Sequence, residues 1–216
     1  MEFRTFASET LSAADRASVF DLFDECYRDA NHAYLEKTLE RLRYVTLAYD
    51  GERLVAFGTG EQRVADLPGL PQTNMTLGGL SCVTVEYRRQ GLVTEMGRRN
   101  MEGGDALPGQ RRLASGRNAH PAAFRMFGRN PSIVPKPGAP TTSWQHEIGQ
   151  AVADIYGAER FDPETFVCVG SGKPIGYPVL DMETTPDEWD VFRAVNRDCG
   201  DTLLAIVWLP DAPAGW

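Results

Sequence analysis

The stretch Leu80-Ser81-Cys82-Val83-Thr84-Val85-Glu86-Tyr87-Arg88-Arg89-Gln90-Gly91-Leu92-Val93-Thr94 changes period in its middle. Leu80 to Val85 is apolar and β-branched, as a strand requires. From Gly91 to Met101 the apolar residues Leu92, Met96 and Met101 fall at helical spacing, and Gly103-Gly104 stops the run. A strand that turns sharply into a helix leaves the first amides of that helix without partners, at the positive end of its dipole. Gly91 lets a ligand approach the backbone, and Arg88 and Arg89 add positive charge beside it. The segment reads as a phosphate-binding turn.

Outward from this turn the chain alternates between helical and strand periods. Glu2 to Ala7 reads as a strand. Ser12, with Asp15 three residues on, caps a helix whose apolar stripe is Val19, Phe20, Phe23, Cys26 and Tyr27. Asn31 caps a second helix bearing Leu35, Leu39 and Leu42. Tyr44 to Tyr49 and Arg53 to Gly60 form a hairpin about Asp50-Gly51. Asp66 to Thr73 reads as a Pro/Gly loop leading to a strand over Met75 to Val85. After the turn come a strand over Arg111 to Ser115 and a helix over Pro121 to Phe127. The proline-rich run Asn130 to Thr142 is a loop. Ser143 caps a helix to Tyr156, Phe166 to Val169 is a strand, Thr185 opens a helix through Val195, and Thr202 to Leu209 is a last strand.

The bulk numbers bound the function. The chain has 216 residues, 42% of them apolar, so a sizeable core is expected. Net charge is −8, which disfavours a general nucleic-acid binder. From Arg88 to Arg129, however, nine arginines face only Glu95, Glu102 and Asp105, a local excess of +6 suited to a compact polyanion. No run reaches the roughly 18 apolar residues of a membrane span. The N-terminus lacks a basic segment followed by an apolar one, so a cytoplasmic location and reduced cysteines are expected. His32, His120 and His146 lack metal-ligand spacing, there is no G-x-S-x-G elbow, and Ser171-Gly172-Lys173 is a turn rather than a phosphate loop.

Arg88-x-x-Gly91-x-Val93, preceded by Val83-Thr84-Val85-Glu86-Tyr87, resembles the acyl-CoA-binding motif of GNAT-family N-acetyltransferases, R/Q-x-x-G-x-G/A after a strand. Downstream, Ala122-Ala123-Phe124-Arg125-Met126-Phe127 is similar to the family's A-A-I-R-L-Y helix, with Asn118 where the family has an asparagine after the next strand. The resemblance covers residues 1 to 130. It implies an α+β fold, a mostly antiparallel sheet flanked by helices; the order of elements reads as one domain over 1–216 whose C-terminal third, 131–216, is elaborated beyond the family pattern. It implies acetyl-CoA or another acyl-CoA as cofactor. Val83 and Val85 would pair with pantetheine, Arg88, Arg89, Gln90, Gly91, Leu92, Val93 and Thr94 would hold the phosphates, and Asn118 and Phe127 would complete the site. The small-molecule acceptor would be an amine, with no nucleic acid, membrane or metal involved and a homodimer left open.

Two departures matter. Val93 stands where a small residue is usual, so its branched side chain is expected to narrow the approach to the amides. Phe127 stands where many members carry a tyrosine that protonates the departing thiolate. Glu25, Tyr27 and Glu86 are the candidates for acid–base work, none of them assigned. The alternative to an N-acetyltransferase is a non-catalytic acyl-CoA-binding or regulatory module of the same fold. The aromatic residues of the C-terminal third (Trp144, Tyr156, Trp189, Phe192) fit a bulky acceptor or longer acyl chain and equally the core of the two added helices, and the loop Asp66 to Thr73 is a candidate to line an acceptor pocket.

Overall fold

A computed structural model describes residues 1–180 and 183–216. The fold is mixed, with mostly antiparallel strands flanked by helices, as the sequence implied. Its elements are β1 (Glu2–Ala7), α1 (Ala13–Cys26), β2 (Tyr27–Arg28), α2 (His32–Arg41), β3 (Tyr44–Asp50), β4 (Arg53–Leu67), β5 (Leu70–Val83), α3 (Leu92–Glu102), β6 (Arg112–Asn118), α4 (Pro121–Gly128), α5 (Ser143–Ile155), β7 (Phe161–Asp162), β8 (Val167–Cys168), β9 (Tyr177–Pro178) and β10 (Thr202–Leu209). Among the described residues no helix is long and apolar enough to cross a membrane.

The chain forms two compact units, each assembled from separated stretches, and neither ends at residue 130. The first comprises Met1–Gln62, Leu77–Asp105 and Ile175–Asp181. Its strands run in the order β1-β3-β4-β5, with β1 antiparallel to β3 and β3 antiparallel to β4. Ser12 caps α1, accepting the Asp15 amide, and Asn31 caps α2, accepting the Tyr34 amide. Val19, Leu22, Phe23 and Cys26 turn the inner face of α1 to the core. Helix α3 lays Leu92 and Met96 against Ala48 and Ala56, the alanines leaving room for the helix to come close. One buried polar bridge fastens it: Asn100 donates to the Gly58 carbonyl at 2.8 Å and accepts from the Thr46 hydroxyl at 2.7 Å.

The second unit comprises Arg63–Thr76, Ala106–Pro174 and Met182–Trp216. Here β10 pairs antiparallel with β6 on one side and with β8 on the other. Helix α5 buries Ile148, Val152 and Ala153, and the Tyr156 hydroxyl after it donates to the Ser115 carbonyl at 3.0 Å. Three expectations fail here. The loop Asp66 to Thr73 is a hairpin in which only Pro68 and Gly69 leave the strands, because Pro-Gly supplies a tight turn and Asp66 accepts the Gln72 amide at 2.8 Å. The cap of α5 is Thr142 rather than Ser143, and with Gln145 it forms a capping box. The helix foreseen from Thr185 to Val195 is a 3-10 segment, Pro186–Phe192. Trp189 and Phe192 lie three residues apart in it, with ring centroids 6.0 Å apart.

Candidate functional site

The site is built where β5 runs out. The strand keeps its pairing to Thr84, whose amide donates to the Val55 carbonyl at 3.0 Å, and a single 3-10 turn, Val85–Tyr87, then lifts the chain off the sheet. Tyr87 anchors this turn twice, with its ring on the Ala48–Met96 cluster and its hydroxyl on Asp50 at 2.5 Å. Arg89 and Gly91 then take left-handed backbone conformations, φ 61° and 79°. Such a conformation costs a side-chain-bearing residue about 1–3 kcal/mol, so Arg89 is held there by the anchored turns on either side.

Gly91 is the N-cap of α3, and no side chain caps the helix. The first intrahelical bond runs from the Glu95 amide to the Gly91 carbonyl, and among the described residues the amides of Leu92, Val93 and Thr94 donate to no protein atom. A Cβ built on Gly91 meets nothing within 4 Å, so the Cβ side of Gly91 is open. The Val93 side chain packs on the cluster of Ala48, Ala56, Leu92 and Met96. It does not narrow the approach, contrary to expectation, because the second residue of this helix faces the sheet.

Arg88 is less free than its position in the sequence suggested. Its Nε donates to the Val83 carbonyl at 3.0 Å and its amide to the Val85 carbonyl at 3.3 Å, so the guanidinium folds back on the strand and the carbonyls of both residues foreseen for pantetheine are engaged. Arg89 and Gln90 are exposed, and the Gln90 side-chain amide ties the turn to the Glu86 carbonyl at 3.0 Å. Val85 is half exposed, an apolar side chain left at the end of the strand. The arginine-rich band also divides. Glu95 binds Arg98 and Arg99, which pull its carboxyl down to about 2, and Arg98 further pairs with Glu102. In the second unit Glu188, distant in sequence, takes Arg125 in a two-point pair at 2.5 and 2.8 Å.

The candidate acid–base residues come together in part. Arg53 on β4 gathers Glu86 at 3.0 Å and Glu25 at 3.6 Å, all three side chains about half exposed. Glu86 lies below the usual carboxylate range, first through a hydrogen bond from its own backbone amide and then through Arg53. It is therefore an anion, and a weak base. Tyr27 stacks on Phe23, centroids 4.9 Å apart, and pairs in β2 with Pro178, a packing position. Neither Arg53 nor Asn100 was legible as part of the site; both act across sequence separations that no local pattern records.

Asn118 and Phe127 belong to the second unit. Asn118 is buried and donates to the carbonyls of Gly116 and Leu203, at 3.0 and 3.4 Å. The Phe127 ring lies on β6 at Gly116, where a Cβ would come within 2.8 Å of its Cζ. His120 caps α4, its Nδ1 accepting the Ala122 amide at 3.1 Å, and burial together with Arg197 and Arg125 pushes the imidazole down to about 4. It is neutral at pH 7. The four cysteines are free thiols, and among the described residues no three His, Cys, Asp or Glu side chains gather to hold a metal ion.

No family model matches the chain, and no curated protein matches it. The solved structures it resembles, at low identity, include N-acetyltransferases. The ribosomal-protein-S18-alanine N-acetyltransferase of Escherichia coli is 12% identical, with a TM-score of 0.41 over 100% of this chain and 99% of the other. A histone acetyltransferase HPA2-related protein of Corynebacterium glutamicum is 13% identical, with a TM-score of 0.38 over 66% and 91% of the two chains. An aminoglycoside 6'-N-acetyltransferase of Acinetobacter haemolyticus is 16% identical, with a TM-score of 0.36 over 51% and 82%.

Proposed function

We propose that the chain binds an acyl-coenzyme A at the turn between β5 and α3 and transfers the acyl group, most simply acetyl, to the amine of a small molecule. The observation that carries this reading is the uncapped start of α3: three unpartnered amides at the positive end of an 11-residue helix, under the open face of Gly91. These donors fit a pyrophosphate, and Arg89 and Gln90 are exposed at their edge. An extended amide arm would run along Val83 and Val85 in competition with Arg88, whose side chain and amide occupy the two carbonyls at 3.0 and 3.3 Å. Bound there, the cofactor supplies an activated thioester.

The residues of this chain then have limited work to do. An attacking amine must be neutral, and Glu86 and Glu25, both on Arg53, can accept its proton through solvent, though weakly. Phe127 cannot protonate a leaving thiolate. A thiol of pKa about 8.5 leaves as the anion near neutral pH with modest help, so a slow transfer is compatible with that ring.

Incubation with acetyl-CoA and a panel of small amines, with free thiol followed, tests the reading. Amine-dependent thiol release is expected. Gly91→Glu places bulk and negative charge over the amides and is expected to abolish CoA binding; unchanged affinity would place the site elsewhere. Phe127 favours a second reading, a binding module without transfer. Saturable CoA binding with no thiol release across the panel would establish it instead.

A further inference from the structure

The Val83 carbonyl is closed by a side chain, and the way it is closed bears on what the turn at Gly91 can accept. Thr84 turns its amide to β4, where it donates to the Val55 carbonyl at 3.0 Å. Backbone groups alternate sides along a strand, so Val83 turns its carbonyl away from β4, to the side where an extended ligand can pair. There it accepts the Arg88 Nε at 3.0 Å. The Val85 carbonyl accepts the Arg88 amide at 3.3 Å, a bond that closes the 3-10 turn Val85–Tyr87 and is lost only if that turn unwinds. The bond to Val83 differs in kind. A change of Arg88 rotamer releases it and leaves the backbone in place.

Arg88 is half-buried in this position. Its charge also reaches the end of α1: the Cys26 thiol is drawn below its ordinary value by a hydrogen bond with Cys82 and, against burial, by Arg88. The guanidinium thus belongs to the strand and to α1 while nothing draws it away. An arm that pairs with Val83 must take the carbonyl from it, exchanging one hydrogen bond for another with little net gain. A ligand that also carries a pyrophosphate changes the balance. Arg88 stands three residues before Gly91, at the head of the helix whose Leu92, Val93 and Thr94 amides lack protein partners among the described residues. A phosphate held there offers the released guanidinium a charge-assisted bond, about twice as strong as a neutral one. One side chain therefore couples the two halves of the ligand.

We propose that Arg88 makes recognition of the amide arm conditional on the phosphates, so that the site selects a free acyl-CoA over the same thioester on a pantetheine arm without a pyrophosphate. The inference rests on the acyl-CoA reading of the turn.

The probes are CoA and pantetheine, titrated by NMR into the full chain and into Arg88→Met, which keeps an unbranched stem and removes every donor. Pantetheine should bind Arg88→Met about 2- to 10-fold more tightly than wild type, the net worth of the bond no longer to be broken. The ratio of CoA to pantetheine affinity should fall by about 10- to 100-fold, the range for a hydrogen bond to a charged group. A merely structural role for Arg88 would weaken both ligands alike and leave that ratio unchanged. A second measurement needs no variant: the Arg88 Nε–H resonance of wild type should exchange slowly with solvent in the free chain and shift on saturation with CoA. Pantetheine bound no more tightly by Arg88→Met, an unchanged ratio, or an Nε–H resonance unmoved by bound CoA would each overturn the proposal and leave the acyl-CoA reading standing. Absence of CoA binding to both proteins would overturn the two together.

Discussion

Asn100→Ala is expected to destabilise the first unit by about 3 kcal/mol, and the figure follows from what the side chain holds. Asn100 is 1% exposed on the sheet side of α3. Its loss removes the bond to the Gly58 carbonyl and the bond from the Thr46 hydroxyl, each worth about 1 kcal/mol net. The Thr46 hydroxyl can turn to Thr5, 2.9 Å away, so little more is lost there. The Gly58 carbonyl has no such alternative, and the void left by the amide adds about another 1 kcal/mol. Urea denaturation of wild type, Asn100→Ala, Thr46→Val and the double variant measures the total and the coupling. A coupling near 1 kcal/mol is expected, because the two residues share one bond. A loss below about 1 kcal/mol, or strict additivity, would refute the assignment of Asn100 as the polar fastener of α3. Asn100→Asp gives a second, signed check. Burial raises its carboxyl above the ordinary value, and only the neutral acid can donate to Gly58. Its folded-state proton is held more tightly than its unfolded one, so stability falls as pH rises, and the gap to wild type should narrow from pH 7 to pH 4.5.

Gly91→Ala should cost about 1 kcal/mol from the left-handed backbone alone, since its Cβ meets nothing within 4 Å, and Gly91→Asn should cost less; equal losses by urea denaturation would contradict this. Gly116→Ala forces the Phe127 ring off β6 and should lower stability by about 1–3 kcal/mol, recovered in part by Phe127→Leu; thermal melts of the pair decide. An NMR titration should place His120 near pH 4 rather than at the ordinary 6.5 of a free imidazole. The unfolded chain then binds more protons between those values, so stability falls as pH drops from 6.5 toward 4. Below 4.5 the carboxylates of Glu95 and Glu188, both held down to about 2 by arginines, add to the loss as they protonate. A flat melting temperature from pH 6.5 to 4 would contradict the burial assigned to the imidazole.

Features that live within a few residues were legible in the sequence. The caps at Ser12 and Asn31, the span of β1, the Asp50-Gly51 turn and the passage from β5 through Gly91 to α3 each depend on neighbours along the chain. The misreadings share a cause. Asp66 to Thr73 carries loop residues, yet only Pro68-Gly69 turns, because strand pairing on either side overrides composition. Thr185 opens a capping box as read, but the segment it opens is a 3-10 helix that ends at Phe192.

By itself the sequence determined where the chain changes period, where α3 begins and that Gly91 stands at its head, since caps, turn residues and hydrophobic spacing are local properties. Tertiary structure alone decided that Glu188 reaches Arg125 from 63 residues away, whereas the pairs of Glu95 with Arg98 and Arg99 follow from helical spacing within α3. It also decided that Val93 faces the sheet and that Glu25 and Glu86 meet on Arg53. A charge acts on whatever lies within a few ångströms, and that distance is set by the fold, not by position along the chain.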